Sequence, residues 1–313
     1  MAQQRRSTVA ICRAAGFDVQ SDFDTALSQG DIDTRIPLSD EDPKLTFISD
    51  KEEILTCSGE GIDDRILNSR MYKLTYGIKA VPAEIFGHFG WAFGVIAGDD
   101  VTLLPKGEYQ PPATSLIYGH DGSAIQPIIL KSMVLMKINI ALAVSGYTTT
   151  FEWLGHGAPS LASAYDWSDC NDDPVARFKD GAFSIDSVSR LSILSGYEFN
   201  FDNKPDPNDP FTRASVDITR NERADLRDLL LKCNLQGEVN DALYLAGIAD
   251  PTTRYPFSFR IGTTSDGVTF ACTSALFEHN DGESYEGGFK RSVLSYNLTP
   301  RQAADTVTVT RET

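Results

Sequence analysis

Two runs with a period of two, separated by residues that cannot continue a strand, constrain this chain most. Tyr197, Phe199 and Phe201 alternate with Glu198 and Asn200, and Ala214, Val216 and Ile218 alternate with Ser215, Asp217 and Thr219. An apolar side chain at every second position marks a half-buried strand. Between the runs lies Asn203-Lys204-Pro205-Asp206-Pro207-Asn208-Asp209-Pro210. Its prolines lack the amide donor and fix φ, and its Asp and Asn residues favour turns. A helix is expected next, over residues 220–234. Thr219 and Glu222 fit a capping box, and Asp225 adds negative charge to the first turn. Leu226, Leu229, Leu230 and Cys233 form a helical stripe, and Gly237 is the stop.

The same order of strand, loop, strand and helix is expected earlier. Residues 54–58 read as a strand, 59–68 as a polar loop with Asp63, Asp64 and Arg65, and 71–76 as a second strand. Pro82 then opens a helix at its tolerated first position, with Ile85, Phe86, Phe89, Ala92 and Phe93 as its apolar face. The two expected helices start about 140 residues apart, the spacing of an internal duplication. Two such units also arise by chance in an antiparallel chain that mixes strands and helices.

The expected fold class is mainly β with two short helices, a β-sandwich or barrel tandemly duplicated. Residues 1–44 form an N-terminal strand and acidic arm, 45–160 a first β module, 175–300 a second, and 301–313 a C-terminal arm. The run 125–144 is the most apolar, but Lys131, Lys137 and Asn139 interrupt it and its end alternates, so it reads as a long half-buried strand broken near Ser132. Residues 17–44 carry Asp18, Asp22, Asp24, Asp31, Asp33, Asp40, Glu41 and Asp42 with little periodicity. They read either as an arm that orders on a partner or as a surface excursion. Residues 257–261 and 268–273 read as a hairpin around Thr264-Ser265-Asp266-Gly267.

Charge and composition exclude several functions. Lys and Arg total 28 against 44 Asp and Glu, a formal net charge of -16 in 313 residues. A conventional nucleic-acid binder needs a basic footprint and is excluded. A protein that nucleic acid passes without sticking is not, because like charge on a channel wall repels phosphate. The cysteines are Cys12, Cys57, Cys170, Cys233 and Cys272, with no CxxC, which predicts reduced thiols and a cytoplasmic origin. The first residues, Met1-Ala2-Gln3-Gln4-Arg5-Arg6, lead into no apolar segment of the secretory kind.

No catalytic constellation emerges. His88, His120, His156 and His279 have no metal-ligand spacing and read as structural or surface histidines. Gly59-Glu60-Gly61 lacks the third glycine and following helix of a phosphate-binding loop. Asp202, Asp206, Asn208 and Asp209 offer calcium-type oxygens without the glycine and terminal Glu of an EF-hand, so they read as a turn. Tyr147, Trp153, Tyr165 and Trp167 could stack on sugar, but such residues more often fill cores or interfaces. The expectation is a self-assembling structural protein, not an enzyme, with no catalytic, cofactor-binding or metal residues and no cofactor.

The chain resembles the tail tube (major tail) proteins of tailed bacteriophages. The resemblance is carried by Arg70-Met71-Tyr72-Lys73-Leu74-Thr75-Tyr76-Gly77 leading to Ala80-Val81-Pro82-Ala83-Glu84-Ile85-Phe86-Gly87, and by Ala214-Ser215-Val216-Asp217-Ile218-Thr219-Arg220-Asn221-Glu222-Arg223. The closing Arg291-Ser292-Val293-Leu294-Ser295-Tyr296-Asn297-Leu298 is similar too. The resemblance implies a β-sandwich or barrel module with one flanking helix. Sheet edges would join into a ring around a lumen, and loops 59–68 and 202–210 or the arm 17–44 would lock ring to ring. It also implies a long version with two fused modules, so that three chains make a pseudo-hexameric ring; one module plus an inserted domain in a hexamer is the alternative. The implied partners are further copies of the chain, the tail terminator, tape measure and tip proteins, and DNA in passage, with no membrane. The implied location is the virion tail, assembled in the bacterial host cytoplasm. The rival expectation is a carbohydrate-binding or carbohydrate-active β-sandwich of the adhesin or depolymerase type.

Overall fold

The computed structural model describes residues 13–19, 27–28, 31–32, 34–37, 44–55, 62–104, 112–120, 127–143, 146–156, 160–161, 175–203, 228–237, 242–243, 246, 252–279, 292–300 and 306–313. The strands in chain order are β1 (Arg13–Val19), β2 (Thr34–Pro37), β3 (Lys44–Leu55), β4 (Ile62–Ile78), β5 (Ile96–Ala97), β6 (Asp100–Thr102), β7 (Thr114–His120), β8 (Ile128–Ala143) and β9 (Gly146–His156). They continue with β10 (Ser160–Leu161), β11 (Ala182–Ile185), β12 (Val188–Ser189), β13 (Leu194–Asp202), β14 (Asp228–Gly237), β15 (Arg254–Gly262), β16 (Gly267–His279), β17 (Ser292–Pro300) and β18 (Val307–Glu312). Helix α1 (Pro82–Ala92) follows β4, and 3-10 turns occur at Phe178–Asp180 and Leu191–Ile193.

The protein is mainly β, and its strands join into one antiparallel sheet. The principal run is β3-β4-β9-β8-β13-β14-β17-β16-β15-β11-β12. Beside β17, the same edge of β16 carries β18, then β6 and β5. Strands β7 and β10 pair the first part of β8, and β1 pairs β7 and β2. Residues of 45–160 and of 175–300 meet directly, because β8 pairs β13 from Tyr197↔Leu142 to Asp202↔Lys137. Within 301–313, β18 lies between β16 and β6, with Val307 and Val309 buried.

Two groups of strands share one order. Taken in chain order, as β3, β4, β7, β8, β9 and as β13, β14, β15, β16, β17, the first strand pairs the second and the second pairs the last. The last then pairs the one before it, which also pairs its own predecessor. Helix α1 follows β4, and helical backbone at Ala242, Leu243 and Ala246 follows β14.

The long strand β8 bends where the sequence suggested a break. Ser132 has a left-handed φ of 55°, and the register with β7 slips between Thr114↔Met133 and Leu116↔Leu130. An extra residue of this kind is a β-bulge, which bends and twists its strand. Before the bulge β8 pairs β7; beyond it β8 pairs β9 and β13.

The sheet curls until β13 faces β15 and β16. The Phe199 ring lies 5.6 Å from Phe259 and 4.5 Å from Phe270. Helix α1 fills the concavity. Phe89 lies 5.9 Å from Phe199 and 6.1 Å from Phe270, and Phe93 lies 4.5 Å from Phe201. Ile85, Phe86, Phe89, Ala92 and Phe93, the apolar face read from the sequence, are all buried. Each such aromatic contributes roughly 1.5–3 kcal/mol by leaving water.

The expected helix over 220–234 is corrected: from Asp228 onward this segment is strand β14. Leu229, Leu231, Cys233 and Leu235 are buried, whereas Lys232, Asn234 and Gln236 are exposed, a period of two. The segment satisfies both a helical and an alternating pattern. Two neighbours, β13 and β17, offer hydrogen bonds along both edges, so the strand wins. The expected loop 59–68 is also shorter than read, since β4 begins at Ile62. Before Met71, back to Leu55↔Ile62, β4 pairs β3 alone among the described residues, so this hairpin extends past the body of the sheet. The run 213–219, residues 204–210 and most of the acidic arm lie outside the described residues.

Candidate assembly surface

One face of the sheet is largely polar across β3, β4, β9, β8, β13, β14, β17 and β16, interrupted by the buried cluster Val134, Met136 and Leu154 beside Lys73. Residues opposite each other in neighbouring strands share a face. One row runs Lys44↔Thr75, Thr75↔Glu152, Glu152↔Lys137 and Lys137↔Asp202. A second runs Thr148↔Ala141, Ala141↔Glu198, Glu198↔Lys232, Lys232↔Asn297 and Asn297↔Glu278. Between them lie Thr150, Asn139 and Asn200. Asn139 Nδ2 donates to Glu198 Oε1 at 3.0 Å and to Asn200 Oδ1 at 2.5 Å. Lys73 Nζ stands 2.9 Å from Glu152 Oε2, and Lys137 Nζ 3.2 Å from Asp202 Oδ2. The lysines of this face, Lys44, Lys73, Lys137 and Lys232, are matched by Glu152, Glu198, Asp202 and Glu278.

The face ends at the edge of β3. Among the described residues, β3 pairs only with β4. Phe47 lies opposite Tyr72, on the side of the sheet that carries the core, with its ring 6.4 Å from Tyr72. Tyr72 is fully buried, yet Phe47 is 57% exposed. Counted back from the strand ends Ile78 and Gly237, Tyr72 and Leu231 hold the same place, and their partners are Phe47 and Phe199. Phe199 is 0% exposed because its strand is flanked by β8 and roofed by α1 and β16. At that junction Gly196 approaches so closely that a Cβ would stand 2.5 Å from the Leu142 carbonyl oxygen. On β16, pairing with β15 stops at Arg254↔Leu276. Beyond it the Phe277 amide still donates to the Thr253 carbonyl at 3.0 Å, and no other strand among the described residues pairs the edge at Glu278 and His279.

Beneath the face, a buried hydrogen-bond chain ties α1 to the sheet. Trp153 Nε1 donates to the Tyr76 hydroxyl at 2.9 Å, and the Tyr76 hydroxyl meets His88 Nε2 at 2.8 Å. His88 Nδ1 lies 2.6 Å from the Glu84 carbonyl, an acceptor, so Nδ1 carries the proton and Nε2 accepts from Tyr76. The imidazole packs 3.8 Å from Phe151. Burial lowers the His88 pKa to about 4, against which the Glu84 carbonyl acts in the raising direction. Burial likewise pushes Tyr76 well up. At the helix end, Asn203 Nδ2 donates to the carbonyls of Leu135 at 3.1 Å and Ala92 at 3.3 Å.

His88 is thus a core residue of α1. His120 and His156 lie on β7 and β9, and His279, on β16, stacks edge-on to Tyr296 at 5.4 Å. Of the aromatics considered for sugar, Trp153 is buried in the core and Tyr147 is half-buried, with its pKa pushed up to about 12 by burial. Tyr165, Trp167 and Asp206, Asn208 and Asp209 lie outside the described residues. Cys233 and Cys272 are buried thiols; the Cys272 thiol donates to the Ser274 carbonyl at 3.1 Å, and burial raises the Cys233 pKa. Among the described residues no cluster of His, Cys, Asp or Glu could hold a metal ion, and no helix is long and apolar enough to cross a membrane. Sequence reasoning missed Phe47, Lys73, Glu152 and Asp202 as surface residues. Their signal is a pattern across strands, invisible until the register is known. No protein-family model matches the chain, and no curated protein matches its sequence.

Proposed function

We propose that this chain is a structural virion protein of the tail-tube kind, which polymerises as stacked rings into a phage tail tube through which DNA passes. The observation that carries this reading is Phe47. It occupies in the first strand group the place Phe199 occupies in the second, but it is exposed where Phe199 is buried. The β8–β13 junction inside one chain is the pattern for a contact between chains. Strand β3 of a second copy adds to β16 beyond its pairing with β15, and Phe47 enters the core there. The repeated strand order makes each chain two tube modules, so three chains close one ring. Closure removes the exposed edges, and rings that repeat along an axis give an open filament. The β3–β4 hairpin, which extends past the body of the sheet, reaches the next ring.

Burying Phe47 contributes roughly 1.5–3 kcal/mol per contact. Phe47→Glu introduces a charge there while touching little in the isolated chain. In sedimentation velocity the native protein is expected to form large assemblies as concentration rises. F47E, with native circular dichroism and melting temperature, is expected to stay at single-chain size. Assembly by F47E at the native concentration overturns the reading.

A further inference from the structure

On the tube reading, the polar face lines the channel, and its charge pattern poses a question. A chain of net charge -16 is expected to present an acidic wall, yet this face carries Lys44, Lys73, Lys137 and Lys232. Lysines repeated around a ring would bind phosphate, and each phosphate neutralised adds to affinity. Lys73 and Lys137 are not presented to solvent alone. Glu152 stands in ion-pair contact with Lys73 and directly opposite Lys137, and Asp202 holds Lys137 from the other side. The carboxylates of these pairs are 22% and 23% exposed, the ammonium-bearing side chains 39% and 48%. The carboxylates therefore sit lower and draw the lysines along the sheet. Half-exposed pairs of this kind contribute little to fold stability, so stability does not account for so regular an alternation.

We propose that Glu152 and Asp202 are insulating residues: they hold Lys73 and Lys137 against the sheet so that the wall does not bind passing duplex DNA. This rests on the tube reading. Substituting both carboxylates by their amides keeps shape and hydrogen bonding but releases two lysines per chain, repeated around every ring.

The test is co-sedimentation of assembled tubes with a short fluorescent duplex DNA, after electron microscopy has shown the tubes. Native tubes are expected to leave the DNA in the supernatant. Tubes of the Glu152→Gln/Asp202→Asn variant are expected to retain it, with retention falling about tenfold between about 50 mM and about 200 mM salt for two phosphate contacts. The single variants are expected to give intermediate retention, and they carry the test if the double variant does not assemble. Asp186→Asn, in an exposed turn away from this face, removes the same kind of charge and is expected to retain none. Equal retention by native and double-variant tubes, or retention by Asp186→Asn tubes, overturns the insulating role and leaves the tube reading standing. Absence of tubes from the native protein defeats the tube reading itself, and this proposal with it.

Discussion

His88 makes the fold acid-sensitive in a way that can be worked out from its surroundings. Its imidazole is fully buried, donates from Nδ1 to the Glu84 carbonyl and accepts at Nε2 from Tyr76. A second proton would have to displace the Tyr76 hydrogen bond, and it would carry a charge into a fully buried site. The folded-state pKa is therefore lowered, from 6.5 to about 4. The unfolded chain binds this proton first, so the stabilisation is fully present above about pH 6.5, falls as pH drops towards 4, and does not change further below that. The lowering corresponds to roughly 3 kcal/mol in all, most of which is lost by about pH 4.5. Urea unfolding of the unassembled chain measures this at about pH 7 and about pH 4.5, for the native protein and His88→Gln. The variant is expected to be less stable at neutral pH by about 1–3 kcal/mol, since the network loses its fit. It is also expected to lose about 2–3 kcal/mol less than the native protein on acidification. Comparison of the two chains cancels the surface carboxylates. Parallel pH dependence in the two proteins would refute the argument, as would a His88 ring titrating near 6.5 in NMR spectra of the folded protein.

Other substitutions probe the strand pairing and the core. Leu231→Asp is expected to unfold the chain, or to cost more than about 4 kcal/mol, and Leu230→Asp to cost far less, as read by thermal melting. A helical segment would reverse that order, because Leu230 and not Leu231 lies on the helical stripe. Gly196→Val is expected to break the β8–β13 junction, exposing the amides of β13 to rapid hydrogen exchange; native-like protection there would contradict the close approach to Leu142. Asn203→Ala is expected to cost about 1–3 kcal/mol in urea unfolding, because the Ala92 and Leu135 carbonyls lose their donor.

Much of this fold is legible in sequence where one face of an element is buried and the other is wet. The alternation of Tyr197, Phe199 and Phe201 gave β13, and the turn residues 264–267 gave the β15–β16 hairpin. Pro82 with the apolar face behind it gave α1. The break expected near Ser132 is the β-bulge of β8. Where two periods fit the same residues, sequence failed. Leu229, Leu230 and Cys233 satisfy a helix, Leu229, Leu231, Cys233 and Leu235 a strand, and only the edges offered by β13 and β17 decide between them. The repeat was sought from a helix at 220–234, whereas the matching feature is an order of strand pairing that involves contacts far apart in the chain. The ion pairs of the polar face escaped for the same reason, since Lys73 and Glu152 are 79 positions apart.

The central claim is that three two-module chains close a ring through β3 and stack into a tube. Electron cryomicroscopy of the concentrated native protein tests it most directly. The account predicts tubes with an open channel, three chains in each ring, β3 hydrogen-bonded to β16 of the next chain, and the polar face turned to the lumen. Discrete globular particles at every salt and protein concentration, or six chains in each ring, would contradict it.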